Sequence, residues 1–458
     1  MTGRLSVVTL VVLSLAPLAQ AQLSMAAPTG EQALDRLAVF DERRPDDGPP
    51  LTLAAALDEA LANNPTLVAL RRRFEVARLR PDQARFLMPP TFEAQIWQWP
   101  ISTLNPADTN MYMFMVRQEL PGYRKREARA AVLEAEAAVA ENTVAVRARD
   151  VVDQVKLAYA DLYLARKAID IQWESVDLLR QFADVSAIKY ATGGISQQDV
   201  LKAVVELSTL HEGLVEMDQR ARLAEARLNT LLNRPPEASI GPLGEPTERV
   251  VLPASAALQR LALEQHPEIR SAVLERDRAE AALVARELEY APDFFVGGGY
   301  MLMPGNRDAW SASVGFTWPR APWSRGGLDA QVAEAQAGIE AATARQRVVE
   351  NAIRLAVHDA YVRVQSAAQR AALLRTSILP QSEQTLEVSR VAYQADRVAF
   401  LALIDNQRVL LDVELDYYEA LSDLEQAMAD LERAVGTELD SAMIATVDVA
   451  NDEPQNQE

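Results

Sequence analysis

Trp310-Ser311-Ala312-Ser313-Val314-Gly315-Phe316-Thr317-Trp318 alternates in character at every step. Successive side chains of an extended chain point to opposite sides, so Trp310, Ala312, Val314, Phe316 and Trp318 share one face. Ser311, Ser313, Gly315 and Thr317 share the other. A tryptophan at each end of the apolar face suits a strand that crosses a bilayer between two interfacial aromatic belts. About nine residues is also the length of a tilted crossing. The expected strand covers 309–318.

Working outward, Phe294, Val296, Gly298, Tyr300 and Leu302 form a partner strand over 293–302, with Pro304-Gly305-Asn306 as the turn. Gly297-Gly298-Gly299 lies inside this strand, where close packing explains it better than phosphate binding. Two similar runs lie earlier, 91–99 and 111–120, joined by Pro100 to Asn110. Their alternation is poor, because Met111 to Val116 is apolar at every step; taken alone, that pair also fits a soluble sandwich core.

The two strand pairs belong to two copies of one pattern. Asn64-Pro65 recurs 202 positions on as His266-Pro267, and Pro90, Phe92 and Tyr159 recur as Pro292, Phe294 and Tyr361. Val200, Ala203, Leu207, Leu210, Leu214 and Met217 keep a 3-4-3-4 spacing, and the same seam returns 203 residues later from Leu403. Each half then reads as a broken helix, two strands, a very long helix, a tight turn and a paired return helix. The first long helix is expected from about 124 to 188, the second from about 327 to 392 with a kink at Pro380. Sixty-odd helical residues reach roughly 100 Å at ~1.5 Å each, far beyond a globular core. The expected organisation is a first structural repeat over 51–250 and a second over 251–436.

Four strands cannot close a barrel, and an open edge in lipid leaves backbone groups unpaired. Identical chains therefore have to pool strands, and three chains give twelve. The fold class expected is mainly α with a β-barrel part: duplicated long helical hairpins forming a trimeric α-barrel, plus a 12-stranded outer-membrane β-barrel, four strands per chain. A trimeric coiled-coil stalk or adhesin-like surface protein without a pore is the alternative that length and seam alone leave open.

The ends of the chain fit this setting. Arg4, the apolar run Leu5 to Leu15, and Ala19-Gln20-Ala21 have the order of an export signal, expected as 1–21 with cleavage before Gln22. A flexible segment is expected over 22–50 and a polar acidic tail over 437–458. No other run approaches the ~18 apolar residues of a membrane helix. The chain has no cysteine, three histidines and a net charge of −19. These exclude disulfides and thiolate metal sites, and they argue against nucleic acid, whose phosphates need a basic face. His211, His266 and His358 have no second histidine at ligand spacing, and no catalytic set or cofactor motif stands out. The chain is read as a non-enzyme.

Tyr190 to Ala203, YATGGISQQDVLKA, resembles the tip motif between paired helices in the TolC family of outer-membrane efflux ducts. Tyr393 to Arg408, Asn63-Asn64-Pro65, Gln118 to Gly122 and Pro292-Asp293-Phe294 extend the resemblance over about 51–436. It implies a homotrimeric exit duct, set in the outer membrane and extending into the periplasm. A periplasmic adaptor protein and an inner-membrane pump of the RND type would feed it. It implies a periplasmic gate at the helix tips, carried here by Tyr190, Asp199, Tyr393, Asp396, Arg397 and Asp405. Some members place a gate arginine where this chain has Val398, so Asp396 and Arg397 are the expected substitutes. Carboxylates ringing a narrow hole repel one another and attract cations, which favours cation passage and a pH-sensitive closure. Trp310, Val314, Phe316 and Trp318 are the expected lipid-facing residues.

Met111, Met113 and Met115 share one strand face, and Met301 and Met303 another. Thioethers bind soft monovalent metals, and the family has a heavy-metal branch that the stretch APDFFVGGGYMLMPG resembles weakly. Apolar filler in a barrel wall is the plainer reading of these methionines. The function expected is passive export of small molecules or metal cations, with a protein-secretion duct as an alternative on the same fold.

Overall fold

The computed structural model describes residues 47–99, 101–103, 105–245 and 252–439. The expected export signal, residues 22–46 of the N-terminal segment, and the tail from 440 onward lie outside the described residues.

The chain is mostly helical and is built twice over. α1 (Leu53–Asn63) and α2 (Pro65–Arg78) are separated by the Asn64-Pro65 step. α3 (Arg80–Arg85) continues after a break at Leu79. The broken helix expected from the sequence thus has a second break beyond the Asn64-Pro65 step. Its cause is Pro81, whose missing N–H cannot continue the ladder. β1 (Thr91–Trp97) and β2 (Met111–Leu120) follow. Then α4 (Lys125–Ala191) runs 67 residues, and α5 (Gln197–Leu231) returns along it.

The second half repeats the order: α6 (Ser255–Gln265), α7 (Pro267–Leu288), β3 (Phe294–Leu302), β4 (Ala309–Phe316) and α8 (Arg325–Leu373). A π turn at Leu374–Ile378 joins α8 to α9 (Leu379–Gln394), and α10 (Phe400–Val435) returns. The π turn sits just before Pro380 and absorbs the backbone bond that proline cannot make, so the long helix passes the site instead of ending there.

Equivalent positions of the two halves solve the same backbone problem. The hairpin tips turn through Gly193 (φ 77°) and Asp396 (φ 57°), both left-handed. Each tip is closed by the same bond, Gly194 N–H to the Lys189 carbonyl and Arg397 N–H to the Ala392 carbonyl, at 2.8 Å. The return helices end on Asn233 (φ 61°) and Gly436 (φ 87°). Gly436 lies so close to His266 that an added Cβ would stand 2.8 Å from its Cα.

The core is strung along the rod. One cluster near the tips joins Val176, Leu179 and Phe182 to Leu207, Leu403 and Phe400. Another packs α1 and α2 on α4 through Ala60, Leu67, Val155 and Leu162, and its counterpart packs α6 on α8 and α10 through Leu258, Val357 and Leu431. No helix among the described residues is long and apolar enough to cross a membrane. Among the described residues the four strands form one antiparallel sheet in the order β1-β2-β3-β4, and there β1 and β4 each keep one edge unpaired.

Candidate functional site

The register divides the sheet by chemistry. Residues directly opposite in an antiparallel pair share a face, so even-numbered positions of all four strands lie on one side and odd-numbered positions on the other. The even face carries Phe92, Ile96, Phe114, Val116, Val296, Leu302, Val314 and Phe316, all exposed. Trp310 and Val314 are 81% and 80% exposed. Tyr300 stacks on Trp310 with ring centroids 5.0 Å apart, and Trp318 meets Trp323 edge-on at 5.9 Å. These aromatics mark the two ends of the apolar face.

The odd face holds every charged residue of the strands: Glu93, Arg117 and Glu119. It also holds Gln95, Ser311, Ser313 and four methionines, Met111, Met113, Met115 and Met301. The unbroken apolar run Met111 to Val116 therefore alternates after all. Thioethers occupy one side and Tyr112, Phe114 and Val116 the other. Gly297 and Gly299 face the same side, where an added Cβ at Gly299 would stand 2.3 Å from the Met115 sulfur. Met303 follows the end of β3, one register step beyond the Tyr112–Leu302 pair.

The sheet joins the helices through a charge cluster that sequence reading missed. The Lys125 side chain, at the start of α4, is 1% exposed and pairs with Asp293 and Glu289, each at 3.0 Å. Gly122 N–H donates to Asp293 Oδ1 at 2.6 Å, and Arg129 meets Glu289 at 3.0 Å. Burial pushes both carboxyls up, but the Gly122 amide and Lys125 on Asp293, and Arg129 and Lys125 on Glu289, hold them below the usual carboxylate range. Nothing in the sequence sets Lys125 apart from its neighbours Arg124 and Arg126, and its partners lie more than 160 residues away.

At the opposite end, the two hairpin tips are tied to each other. Tyr393 is 4% exposed, and its hydroxyl meets Ser186 Oγ at 3.1 Å. Lys189 Nζ donates to the Tyr393 carbonyl at 2.7 Å and to Asp396 Oδ1 at 2.6 Å, and lies 4.4 Å above the Tyr393 ring. Thus Tyr393 and Asp396 converge on Lys189, a residue not singled out in the sequence, and Asp396 takes this lysine and not Arg397. Arg397 and Tyr190 are exposed. Asp199 is half-buried and accepts from Ser196 Oγ at 3.2 Å. Asp405 is exposed on α10, near Arg408, whose bidentate pair with the buried Glu206 bridges α10 to α5.

Comparison with known proteins agrees with this architecture. The family model for outer membrane efflux proteins matches twice, over residues 56–234 and 258–437, one match for each copy of the repeat. The cobalt-zinc-cadmium resistance protein CzcC of Cupriavidus metallidurans is 25% identical over 390 residues, covering 84% of this chain and 90% of CzcC. Among solved structures, VceC of Vibrio cholerae superposes with a TM-score of 0.68 at 17% identity, over 85% of this chain and 97% of VceC. The MtrE channel of Neisseria gonorrhoeae gives 0.69 at 18% identity, over 84% and 89%. The chain belongs to the outer membrane efflux protein family, whose members sit in the outer membrane, extend into the periplasm and form the exit duct of efflux systems.

Proposed function

We propose that three copies of this chain close into one conduit, with the even face of the sheet against lipid and the odd face lining the passage. The carrying observation is the sheet itself. Among the described residues it has two unpaired edges, and its charged residues all stand opposite the Trp310–Val314–Phe316 face. In hydrocarbon an unpaired strand edge costs several kcal/mol per backbone group, so β4 of one copy must pair with β1 of the next. Twelve tilted strands then leave a water-filled lumen. Trp310 and Trp318 anchor the two interfaces.

In this reading the chain performs no bond chemistry. Transport work comes from an inner-membrane pump of the RND class, coupled through a periplasmic adaptor that meets the hairpin tips. Metal cations are the preferred cargo, because CzcC carries cobalt-zinc-cadmium resistance in its name and aligns over most of both chains. Asp199 and Asp405 would ring the periplasmic constriction in three copies each, with Tyr190 and Arg397 at the tips. The Lys189 and Ser186 contacts to the second tip would hold that constriction closed.

The test is single-channel recording in planar bilayers, with the mass of the detergent-solubilised protein measured in parallel. A trimer that conducts with cation preference supports the conduit. A trimer of the same size without any current supports the coiled-coil stalk instead. Neutralising Asp199 and Asp405 together should reduce cation preference; unchanged selectivity removes them from the lumen.

A further inference from the structure

The methionines of the sheet are distributed as filler would not be. On the even face, where an apolar side chain has only to match its neighbours, the strands use phenylalanine, valine, isoleucine, leucine, tyrosine and tryptophan, and no methionine. All four strand methionines stand on the odd face, among Glu93, Gln95, Ser311 and Ser313. Met113 is directly opposite Met301, which puts their Cβ atoms roughly 5 Å apart and lets both sulfurs reach one ion. Met115 lays its sulfur over the bare backbone of Gly299 and accepts a hydrogen bond from Ser311 Oγ at 3.7 Å. Across from Met115 on β1 stands the Glu93 carboxylate, which Gln95 holds at 2.6 Å.

We infer that Met111, Met113, Met115 and Met301 form a binding stripe for soft monovalent cations, of the silver(I) or copper(I) class, on the inner wall of the conduit; this rests on the reading that the odd face lines the passage. A thioether is a neutral, polarizable donor, so it holds a soft d10 cation and ignores hard or borderline divalent ions. Neutral ligands leave the ion's charge uncompensated, and the nearby Glu93 supplies attraction without forming a closed cage. Such a wall holds soft monovalent ions weakly and at several neighbouring positions, which favours their release toward the exterior, while divalent cations of the cobalt-zinc-cadmium kind pass it unbound. Arg117 is the nearest fixed cation on this face, stacked on the Phe295 ring with its guanidinium carbon 3.8 Å from the centroid.

The experiment uses the full-length protein in detergent and in planar bilayers, in chloride-free nitrate buffer, with silver nitrate as the probe. Wild type should bind silver in equilibrium dialysis, and zinc nitrate in excess should not displace it. Bound silver should move the reversal potential toward anions. Replacing all four methionines by leucine conserves volume, so the sheet should form. Losing the ligands themselves should raise the silver required by at least the roughly 10- to 100-fold that loss of an outer partner costs. Met113→Leu with Met301→Leu serves if the fourfold variant fails to insert. Equal silver binding by wild type and variant overturns the stripe, as does a reversal potential that silver leaves unmoved. A channel of normal conductance that ignores silver removes the stripe alone. Absence of current removes the conduit reading and the stripe with it.

Discussion

Asn64 and His266 do the same work at equivalent points of the two repeats. Asn64 Oδ1 accepts from Thr66 N–H at 3.0 Å and caps α2, while its Nδ2 donates to the Leu231 carbonyl at 3.1 Å. His266 Nδ1 accepts from Glu268 N–H at 3.1 Å and caps α7, while its Nε2 faces the Arg433 carbonyl at 3.2 Å. A carbonyl only accepts, so Nε2 carries the hydrogen and the ring is neutral. Each residue thus closes a helix start and ties it to the end of a return helix, 167 residues later in both copies.

The chemical difference between them gives the first prediction. Burial holds the His266 imidazole below its ordinary range, since charging it would desolvate a cation and abolish the cap. The unfolded chain protonates near pH 6.5 and the folded one resists, so this contribution is intact above about 6.5 and is lost as pH falls below it. His266→Asn should keep the cap and remove the titration. Thermal melts in detergent at pH 7.5 should barely change. At pH 5.5 the variant should exceed wild type by about 1 kcal/mol, the worth of a helix cap. Parallel pH dependence in the two proteins would refute this.

Lys125→Met tests the joint between sheet and helices. The substitution leaves Asp293 and Glu289 with reduced compensation at a half-buried site. Breaking a fully buried pair costs 3–5 kcal/mol, and partial exposure of the partners lowers this to roughly 2–3. Wild type should also lose stability as pH falls through the carboxylate range, because both folded carboxyls are held low. The variant should show a shallower acid limb along with its lower melting temperature.

Glu414 carries the opposite sign. Burial, with Glu174 and Glu383 facing it from α4 and α9, pushes its carboxyl up to about 7, against a partial offset from Lys167. A raised folded value means the ionised group weakens the fold, and this penalty appears as pH rises from the ordinary carboxylate range through about 7. Glu414→Gln should therefore stabilise the protein at pH 8 and change little at pH 5. Solvent screening at this half-exposed site limits the gain to about 1 kcal/mol. A gain of equal size at both pH values would argue against ionisation as its source.

The sequence made some of this plain and hid the rest for physical reasons. Trp310 to Trp318 was legible because one side is apolar and the other small and polar, so a period of two stands out. Met111 to Val116 was opaque because thioether and hydrocarbon look alike to a hydropathy pattern; only the pairing of Met113 with Met301 separates them. The duplication was legible from the Asn-Pro and His-Pro steps and the shared seam. Lys125 and Lys189 were not, because a lysine's partner across two hairpins leaves no local spacing to read. The break at Leu79 has Pro81 as its only signal, because the apolar pattern continues through the site.

The last prediction concerns the tips. Lys189 joins α4 of the first hairpin to the turn of the second through the Tyr393 carbonyl and Asp396, and the ring of Tyr393 lies beneath its charge. Asp396 is largely exposed, so the ion pair is screened and worth about 1 kcal/mol at most. That is about fivefold per subunit, and up to roughly a hundredfold where three subunits open together in a two-state equilibrium. Lys189→Met should raise the open fraction of single channels by a factor in that range, while Tyr393→Phe, which loses only the Ser186 contact, should do so by a similar or smaller amount. Raising salt should lift wild type toward the Lys189→Met level and leave Tyr393→Phe a constant factor above wild type, because only the ion pair is screened. If salt and the lysine substitution act additively, the tip contact is not what holds the duct shut.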